Sequence, residues 1–328
     1  MKVTLVHDSS ANLEGGNGLP EDFGAEYDDP ATVEGLLSAL RDSGHEADSL
    51  EFDEEFPARI RERNPDLVFN IAEGARGPAR ESLVPGWLDH LGIPYTGSDG
   101  LALGVTLDKA LSKTIMAHRG WPTPAFARVR DRSQVEDLDL PFPLFAKPNN
   151  EGSSMGIRRA SRLEDEASLR QQVEWILSEY SQDCLVEEFL PGREFCVGLL
   201  GNGNPTTLPI VEIRSPGQFY SYEYKARHNK ELICPADLPE EIAEEIREMG
   251  RDAFAAFRCR DLGRVDVKLD KNGRPGFLEI NPLPGLSADY SIYPYQALQC
   301  DMTYNELISR IVNLAVERTT TNTERIST

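Results

Sequence analysis

The sequence predicts an α/β protein in which a doubly wound parallel sheet at the N-terminus is followed by modules that mix helices with antiparallel strands. Over roughly the first hundred residues, strand-like and helix-like segments alternate with short connections. Further along, apolar runs are joined by Gly-Asn and Asn-Gly turns, which is typical of antiparallel strand pairs. The chain has 328 residues, 40% of them hydrophobic and 27% charged, which is ordinary for a soluble globular enzyme of two or three packed domains.

The N-terminal part repeats the order strand, helix, strand. Strands are predicted at 2–7, 46–51, 66–71 and 92–98, and helices at 31–44, near 54–63 and near 80–91. Short connections between such elements imply parallel strands in a doubly wound sheet. Residues 8–30 depart from this pattern because they form a long loop rich in Gly, Asp and Asn. A loop of that length inside a compact domain is usually functional or disordered.

The rest of the chain is expected to combine helices with antiparallel strands. Helices are predicted at 108–120, 163–178, 239–257 and 303–317, and strands at 142–148, 155–160, 184–190, 193–200 and 207–213. The strands at 184–190 and 193–200 are expected to begin one antiparallel run. The tail 319–328 is expected to be disordered.

A β-hairpin near the C-terminus carries the most informative pattern in the chain. The segments GRVDVKLD (263–270) and PGFLEINP (275–282) flank Asn272-Gly273, which predicts a two-residue type I′ turn. That turn would place Asp266 opposite Glu279 and Arg264 opposite Asn281, all on one face. The other face would carry the apolar residues Val265, Val267, Leu278 and Ile280 into the core.

The predicted Asp266–Glu279 pair indicates a metal site. Like charges directly opposite one another destabilise a sheet, so the arrangement favours a cation between the carboxylates. Two carboxylates and the Asn281 amide oxygen are hard ligands that suit Mg²⁺ bridging nucleotide phosphates. A slip of one residue in register would instead leave a solvated hairpin face.

Two loops add weaker signals for a nucleotide. The loop KPNNEGSSMG (147–156) is rich in small residues whose backbone N–H groups can approach phosphates, beside the charge of Lys147. The segment CLVEEFLPGREF (184–195) offers Glu187 as an acceptor, Phe189 as an apolar platform and Glu194 as a carboxylate for ribose hydroxyls. A flexible hairpin loop and a solvated turn are the alternatives for these two segments.

Charge and cysteine usage limit the partners and the compartment. The formal net charge of −21 disfavours nucleic acid or an anionic membrane as a partner, because both need a basic surface. Five scattered cysteines without a CxxC pair indicate reduced thiols and hence a cytoplasmic protein. Without HExxH or GxxxxGK[ST] in the sequence, a zinc hydrolase or a P-loop nucleotidase is disfavoured.

Together these segments resemble the ATP-grasp superfamily and, within it, the D-alanine–D-alanine ligase family. The resemblance covers about residues 64–316, and the order and spacing of its motifs are far more specific than any motif alone. The matching stretches are GIPYTGSD (92–99), DKALSK (108–113), KPNNEGSSMG (147–156), LVEEFLPGREF (185–195), FYSYEYK (219–225), GRVDVKLD (263–270) and EINPLPGL (279–286).

The resemblance implies an ATP-grasp fold organised in three parts, of which the last two clamp ATP. The three parts are an N-terminal α/β domain (1–98), a central subdomain with the phosphate loop (99–182) and a C-terminal subdomain with the metal and oxyanion site (183–318). It also implies an ATP-dependent carboxylate–amine ligase that forms an acyl phosphate. Such an enzyme would use ATP with two Mg²⁺ ions (or Mn²⁺), act on small-molecule acids and amines, and form a homodimer.

The resemblance also implies roles for individual residues. The nucleotide would be bound by Lys109, Lys147, Gly152, Ser153, Ser154, Glu187, Phe189, Glu194 and Lys225. The two metal ions would be bound by Asp266, Glu279 and Asn281. Arg264 and the backbone N–H of Gly285 would stabilise the oxyanion, with Ser153 as a further catalytic residue of the closing loop. Ser291 would bind the carboxylate of the second substrate.

The chain departs from the family at the first substrate's amino site. The loop 8–30 replaces a short Gly-rich turn that ends in a glutamate, and only Glu26 is roughly in register with it. NIAEG (70–74) replaces a motif histidine, and Ala226 replaces a tyrosine. We therefore expect a ligase with a different first substrate, such as a peptide or a modified amino acid. A genuine D-alanine–D-alanine or D-alanine–D-lactate ligase and a nucleotide-binding regulator without turnover are the alternatives.

Overall fold

The computed structural model describes residues 1–8, 20–214 and 231–326. Its strands are β1 (Lys2–His7), β2 (Glu46–Glu51), β3 (Leu67–Asn70), β4 (Phe126–Val129), β5 (Leu144–Pro148), β6 (Arg162–Leu163), β7 (Cys184–Glu188), β8 (Glu194–Leu200), β9 (Thr206–Thr207), β10 (Val211–Arg214), β11 (Glu231–Ile233), β12 (Leu262–Leu269) and β13 (Pro275–Asn281). Its α-helices are α1 (Pro30–Asp42), α2 (Phe56–Arg63), α3 (Leu83–Leu91), α4 (Gly100–Leu107), α5 (Lys109–His118), α6 (Glu166–Glu179), α7 (Glu240–Ala256), α8 (Ile292–Leu298) and α9 (Tyr304–Ile326).

The N-terminal sheet is parallel and doubly wound, as predicted. Its strands lie in the order β2-β1-β3, and the predicted fourth strand makes a single parallel bridge between Val68 and Tyr95. Helices α1 and α9 pack on the face that carries Val3 and Leu5, while α2 and α3 pack on the face that carries Val6. Both faces are therefore buried, which suits the short apolar strands.

The central sheet is antiparallel, with the order β4-β7-β5-β6, and α6 covers its core face. Two strand predictions are wrong here. Residues 155–160 form a turn and the start of a short 3₁₀ helix, because Gly156 adopts a left-handed φ of 72° and reverses the chain. Strand β7 also does not pair with β8, because the Pro191-Gly192 turn carries the chain into another sheet.

The C-terminal sheet has the order β11-β10-β8-β12-β13, with β9 on the edge of β8. Helix α7 packs on it through one apolar stripe, in which Ile246, Met249 and Ala253 are fully buried against Val197 and Val265. That stripe is the one expected from the 239–257 periodicity.

The β12–β13 hairpin confirms the predicted pairing but not the predicted turn. Arg264 lies opposite Asn281 and Asp266 opposite Glu279. Only Gly273 has a positive φ (79°), whereas a type I′ turn needs one at both central residues. The loop therefore contains three residues, and the pairing near it is shifted by one. A bulge between Asp266 and Val267 shifts it back, so that Leu278 leaves the core and lines a pocket instead.

The C-terminal helix extends further than predicted. It runs from Tyr304 to Ile326, past the start of the predicted disordered tail. Residues 318–326 contain neither Gly nor Pro, so nothing in this stretch ends the helix. Its buried face shares one hydrophobic cluster with α1, the N-terminal sheet and the ends of β8 and β12. No helix in the described ranges is long and apolar enough to cross a membrane.

Candidate active site

One pocket opens where the central sheet, the β12–β13 hairpin and the segment 20–28 meet. Every candidate site residue within the described ranges lines it: Glu26, Lys109, Lys147, Gly152, Ser153, Ser154, Glu187, Phe189, Glu194, Arg264, Asp266, Glu279, Asn281, Gly285 and Ser291. Lys225 lies outside the described residues. Residues far apart in the sequence are thus brought to one place.

The loop after β5 has an unusual backbone at two consecutive residues. Ser153 and Ser154 both adopt left-handed φ values, 50° and 62°. That conformation costs a non-glycine residue about 1–2 kcal/mol, so the surrounding contacts must impose it. Position 152 requires glycine because a Cβ there would lie only 2.5 Å from Glu26 Oε1.

The segment 20–28 holds this loop at both ends. Gly152 N donates to Glu26 Oε1 over 2.6 Å, and Gly156 N donates to Asp22 Oδ2 over 2.8 Å. Asp22 also accepts from the hydroxyl of Tyr180 at 2.7 Å. Hydrogen bonds to carboxylates are stronger than those between neutral groups. Asp22 was missed in the sequence because its partners lie more than a hundred residues away.

The two site lysines are held by different elements. Lys147 is the last residue but one of β5, and Lys109 begins α5. Asn149 Oδ1 accepts from Ala110 N at 3.0 Å and ties that helix to the end of β5. The Lys109 ammonium lies 3.3 Å from Glu279 Oε2 and also donates to the backbone carbonyl of Glu151.

Glu187 lies between two lysines. Its Oε1 is 3.0 Å from Lys147 Nζ and its Oε2 is 2.9 Å from Lys113 Nζ. Burial opposes ionisation of Glu187, but the two lysines outweigh it and lower its pKa. Lys113 is fully buried, and that burial lowers its pKa to about 8. Lys113 lies in the DKALSK stretch but was not expected in the site, since the 3.6-residue period does not show which lysine faces inward.

The ring of Phe189 forms part of an apolar wall beside these charges. It packs against Phe145 with ring centroids 6.3 Å apart, and the guanidinium of Arg162 lies 4.6 Å from its centroid. Glu194 forms an ion pair with Lys268, with 2.8 Å between Glu194 Oε2 and Lys268 Nζ, and both side chains line the pocket. Lys268 was also missed, although strand alternation from Arg264 and Asp266 places it on the same face.

The hairpin carboxylates each face a cationic side chain. Arg264 donates from Nε and Nη2 to the two Asp266 oxygens, both at 2.7 Å, and Lys109 faces Glu279. The repulsion predicted from the sequence is thus compensated within the protein. Burial opposes ionisation of Glu279, but Lys109, Lys147 and Arg264 lower its pKa to about 2. For Asp266 burial dominates over Arg264, so its pKa is raised.

The donor set at the hairpin fits Mg²⁺. Glu279 is ionised at neutral pH. Hard oxygen ligands are supplied by this carboxylate, by that of Asp266 and by the amide of Asn281. Asn281 Oδ1 accepts from Leu283 N at 3.0 Å and keeps a second lone pair. Within the described ranges, no cluster of three or more acidic, His or Cys side chains could hold a metal ion. A metal here would therefore also need oxygens from the nucleotide.

Gly285 and Ser291 are neighbours at the far side of the pocket. Ser291 Oγ accepts from Ser287 N at 3.0 Å, and a Cβ at Gly285 would approach that oxygen to 3.0 Å. The glycine thus leaves room for the serine hydroxyl beside the Gly285 backbone.

The end of the pocket beneath the segment 20–28 is rich in acidic groups. Arg80 Nη2 donates to Glu26 Oε2 at 2.6 Å and to Glu151 Oε2 at 3.0 Å, and Arg80 Nη1 donates to the Asn150 carbonyl at 2.6 Å. Glu73 lines the same end. Arg80 was not anticipated, because only the folded chain brings it to Glu26.

Two more buried carboxyls at this end bind protons more tightly than usual. Burial raises the pKa of Glu81 to about 8, since the opposing charge of Arg80 is not enough. Burial, helped by nearby Asp8, also raises the pKa of Asp28 to about 8.

Comparison with known proteins gives one family. The family model described as D-ala D-ala ligase C-terminus matches residues 115–313. A D-alanine–D-alanine ligase of Bordetella petrii is 33% identical over 86% of this chain and 85% of its own. A D-alanine–D-alanine ligase of Pelotomaculum thermopropionicum is 32% identical, over 87% of this chain and 91% of the relative's length. An uncharacterized protein of Sinorhizobium fredii is 37% identical over 97% of this chain and 98% of its own.

The fold agrees with a solved structure. The D-alanine–D-alanine ligase from Bacillus anthracis complexed with ATP superposes with a TM-score of 0.77, covering 98% of this chain and 99% of that one. At 23% identity this similarity concerns the fold, which is the ATP-grasp fold expected from the sequence.

Proposed function

Because the chain belongs to the D-alanine–D-alanine ligase family, we propose that it joins an acid other than D-alanine to an amine. As a member of that family it is an ATP-grasp ligase, an ATP-dependent enzyme that forms a C–N bond. The finer proposal is supported by one observation, the state of Glu26. Both of its oxygens are engaged, one by Gly152 N and the other by Arg80.

Glu26 is roughly in register with the family glutamate of the first amino site. Its side chain and that of Arg80 are 8% and 6% exposed, so the pair is little screened by solvent. A carboxylate whose charge is already matched by a guanidinium attracts the ammonium of D-alanine less than a free carboxylate does. An acid recognised by other groups of the pocket fits this arrangement better.

The proposed chemistry has two steps that balance. A carboxylate oxygen of the acid attacks the γ-phosphorus of ATP, which gives an acyl phosphate and ADP. The amine nitrogen then attacks the acyl carbon, and phosphate leaves with the electron pair of the broken C–O bond as the nitrogen loses a proton. Lys109 and Lys147 would neutralise the phosphates, while Gly152, Ser153 and Ser154 cover them.

The remaining residues would bind the nucleotide base and the reacting carbonyl. Glu187, Phe189 and Glu194 would contact adenosine, and Lys225 would reach the phosphates. Arg264 and the Gly285 N–H would stabilise the oxyanion of the tetrahedral intermediate, and Ser291 would bind the carboxylate of the second substrate.

Two Mg²⁺ ions are proposed at Asp266, Glu279 and Asn281. Such ions neutralise phosphate charge when bound. This chain's own contribution is to keep Glu279 ionised, through Lys109 and Lys147, and to fix Asp266 through Arg264. The homodimer, the cytoplasmic location and the three-part division of the chain likewise remain predictions.

A second candidate is a genuine D-alanine–D-alanine ligase with a rebuilt first site, which the names of the Bordetella and Pelotomaculum relatives favour. Phosphate release with Mg²⁺-ATP and D-alanine alone, beside a panel of L- and D-amino acids and dipeptides, separates the two. We expect little release with D-alanine and much more with another acid. If D-alanine is the best substrate of the panel, the first candidate is wrong. If no acid or amine stimulates ATP use, a nucleotide-binding regulator is favoured instead.

A further inference from the structure

Among the described residues, the acidic end of the pocket has more carboxyl groups than cationic side chains to pair with them. Glu26 shares Arg80 with Glu151, and Lys109 faces Glu279. Asp28, Glu73 and Glu81 also line the pocket. In the described ranges these three have no ion pair with a cationic side chain.

Glu81 shows this imbalance most clearly. It is only 8% exposed, yet no partner for its carboxylate is found among the described residues. A buried carboxylate without a partner is unfavourable unless it binds a proton or a cation. Burial indeed raises its pKa to about 8. Since Glu81 lines the pocket, a ligand can reach it.

Glu73 lies beside the loop 147–156, at the acidic end of the pocket. Measured from the place of a Cβ at Gly152, Glu26 Oε1 is 2.5 Å away and Glu73 Oε2 is 3.9 Å away. The backbone around Glu73 is fixed, because Glu73 N and Gly74 N donate to Asp8 Oδ2 at 2.7 and 2.8 Å. The backbone that carries Glu73 is therefore held at the pocket wall.

A metal ion is a poor ligand for these carboxyl groups. No three acidic, His or Cys side chains in the described part of the chain are arranged to hold one. Carboxylates spread along a pocket wall instead suit an organic cation, whose charged groups lie several bonds apart.

We propose that the first substrate of the reaction carries two positive charges, as in an amino acid with a basic side chain or a short peptide containing one. This inference rests on the proposed ligase function and names the class of its acid. One ammonium group of such a substrate would pair with only one of the three carboxyls that have no ion pair among the described residues. The second would bind against Glu81 and Glu73.

Binding, rather than turnover, gives the cleanest test. The full-length protein, loaded with Mg²⁺ and a non-hydrolysable ATP analogue, is titrated calorimetrically with lysine and with norleucine, each in both chiral forms. Norleucine keeps the α-ammonium and lacks only the second charge. Ornithine against norvaline and arginine against citrulline repeat the comparison at other lengths.

We expect the basic member of at least one pair to bind about tenfold or more tightly than its neutral partner, as for a hydrogen bond to a charged group. Glu81→Gln should reduce that preference to about threefold or less, and Glu73→Gln should act in the same direction. Glu54→Gln, a change at an exposed residue outside the pocket, should leave it unchanged.

Three results would overturn the inference: equal binding within every pair, no binding of any basic acid, or a preference that neither Glu81→Gln nor Glu73→Gln reduces. Ligation of a neutral acid without charge preference would refute the inference and leave the proposed function intact. Preferential binding of lysine without ADP formation would support the inference about charge and refute the proposed ligase function.

Discussion

Replacing Arg264 by lysine is the change whose effect the geometry defines best. Arg264 uses two N–H groups, on Nε and Nη2, to bind Asp266 at 2.7 Å, and its guanidinium also lines the pocket. A lysine has one ammonium group, which can pair with Asp266 or face the reacting carbonyl, whereas the planar guanidinium of Arg264 would do both in the proposed mechanism. Removing one oxyanion donor costs about 10²–10³ in turnover, roughly 3–4 kcal/mol.

Arg264→Lys should therefore lower kcat by about two to three orders of magnitude and leave KM for ATP within about threefold. Steady-state ADP release measures both constants, and a thermal melt checks that the variant folds. Arg251→Lys is a matched control, because Arg251 pairs with Glu244 on the surface of α7, away from the pocket. A variant whose only loss is in KM for ATP would make Arg264 a nucleotide-binding residue and refute the oxyanion role.

Two further predictions concern the segment beside the phosphate loop and the acidic pocket end. Asp22→Ala removes the acceptor of Gly156 N and of the Tyr180 hydroxyl, so KM for ATP should rise by about tenfold; an unchanged KM would show that this contact does not hold the loop. Glu81 has a pKa of about 8 in the folded protein, above its ordinary value of 4.5. The folded state therefore binds more protons between these two values, and stability falls as pH rises through that window. Glu81→Gln should remove this dependence and raise Tm at pH 8 by at least about 2–4 °C, with little change at pH 4; equal shifts at both pH values would contradict the assignment.

Local patterns predicted the hairpin and its residue pairs. They missed both the three-residue loop and the bulge, whose one-residue shifts in register cancel. Alternation identified both strands, and Asn272-Gly273 identified the turn but not its type. The three-residue loop alone would have placed Asp266 opposite another residue. The bulge at Val267 restores the pair, because an extra residue on β13 is tolerated where Leu278 can turn into the pocket. Turn type and bulges depend on the neighbouring strands, which a local pattern does not contain.

Residues that act through long-range partners could not be found from local patterns. Lys268 was recoverable, since it follows Asp266 by two residues on one strand. Arg80, Glu81 and Asp22 could not be identified from the sequence, because the groups around each of them come near only when the chain folds.

The path of a carboxylate oxygen tests the proposed reaction most directly. The acid that performs best in the phosphate-release panel is labelled with ¹⁸O at both carboxylate oxygens and incubated with the enzyme, Mg²⁺-ATP and the amine. An acyl phosphate requires one of those oxygens to leave with the phosphoryl group, so each released phosphate should carry one ¹⁸O, with ADP as the nucleotide product. Unlabelled phosphate, or AMP in place of ADP, would contradict activation of the acid by γ-phosphoryl transfer.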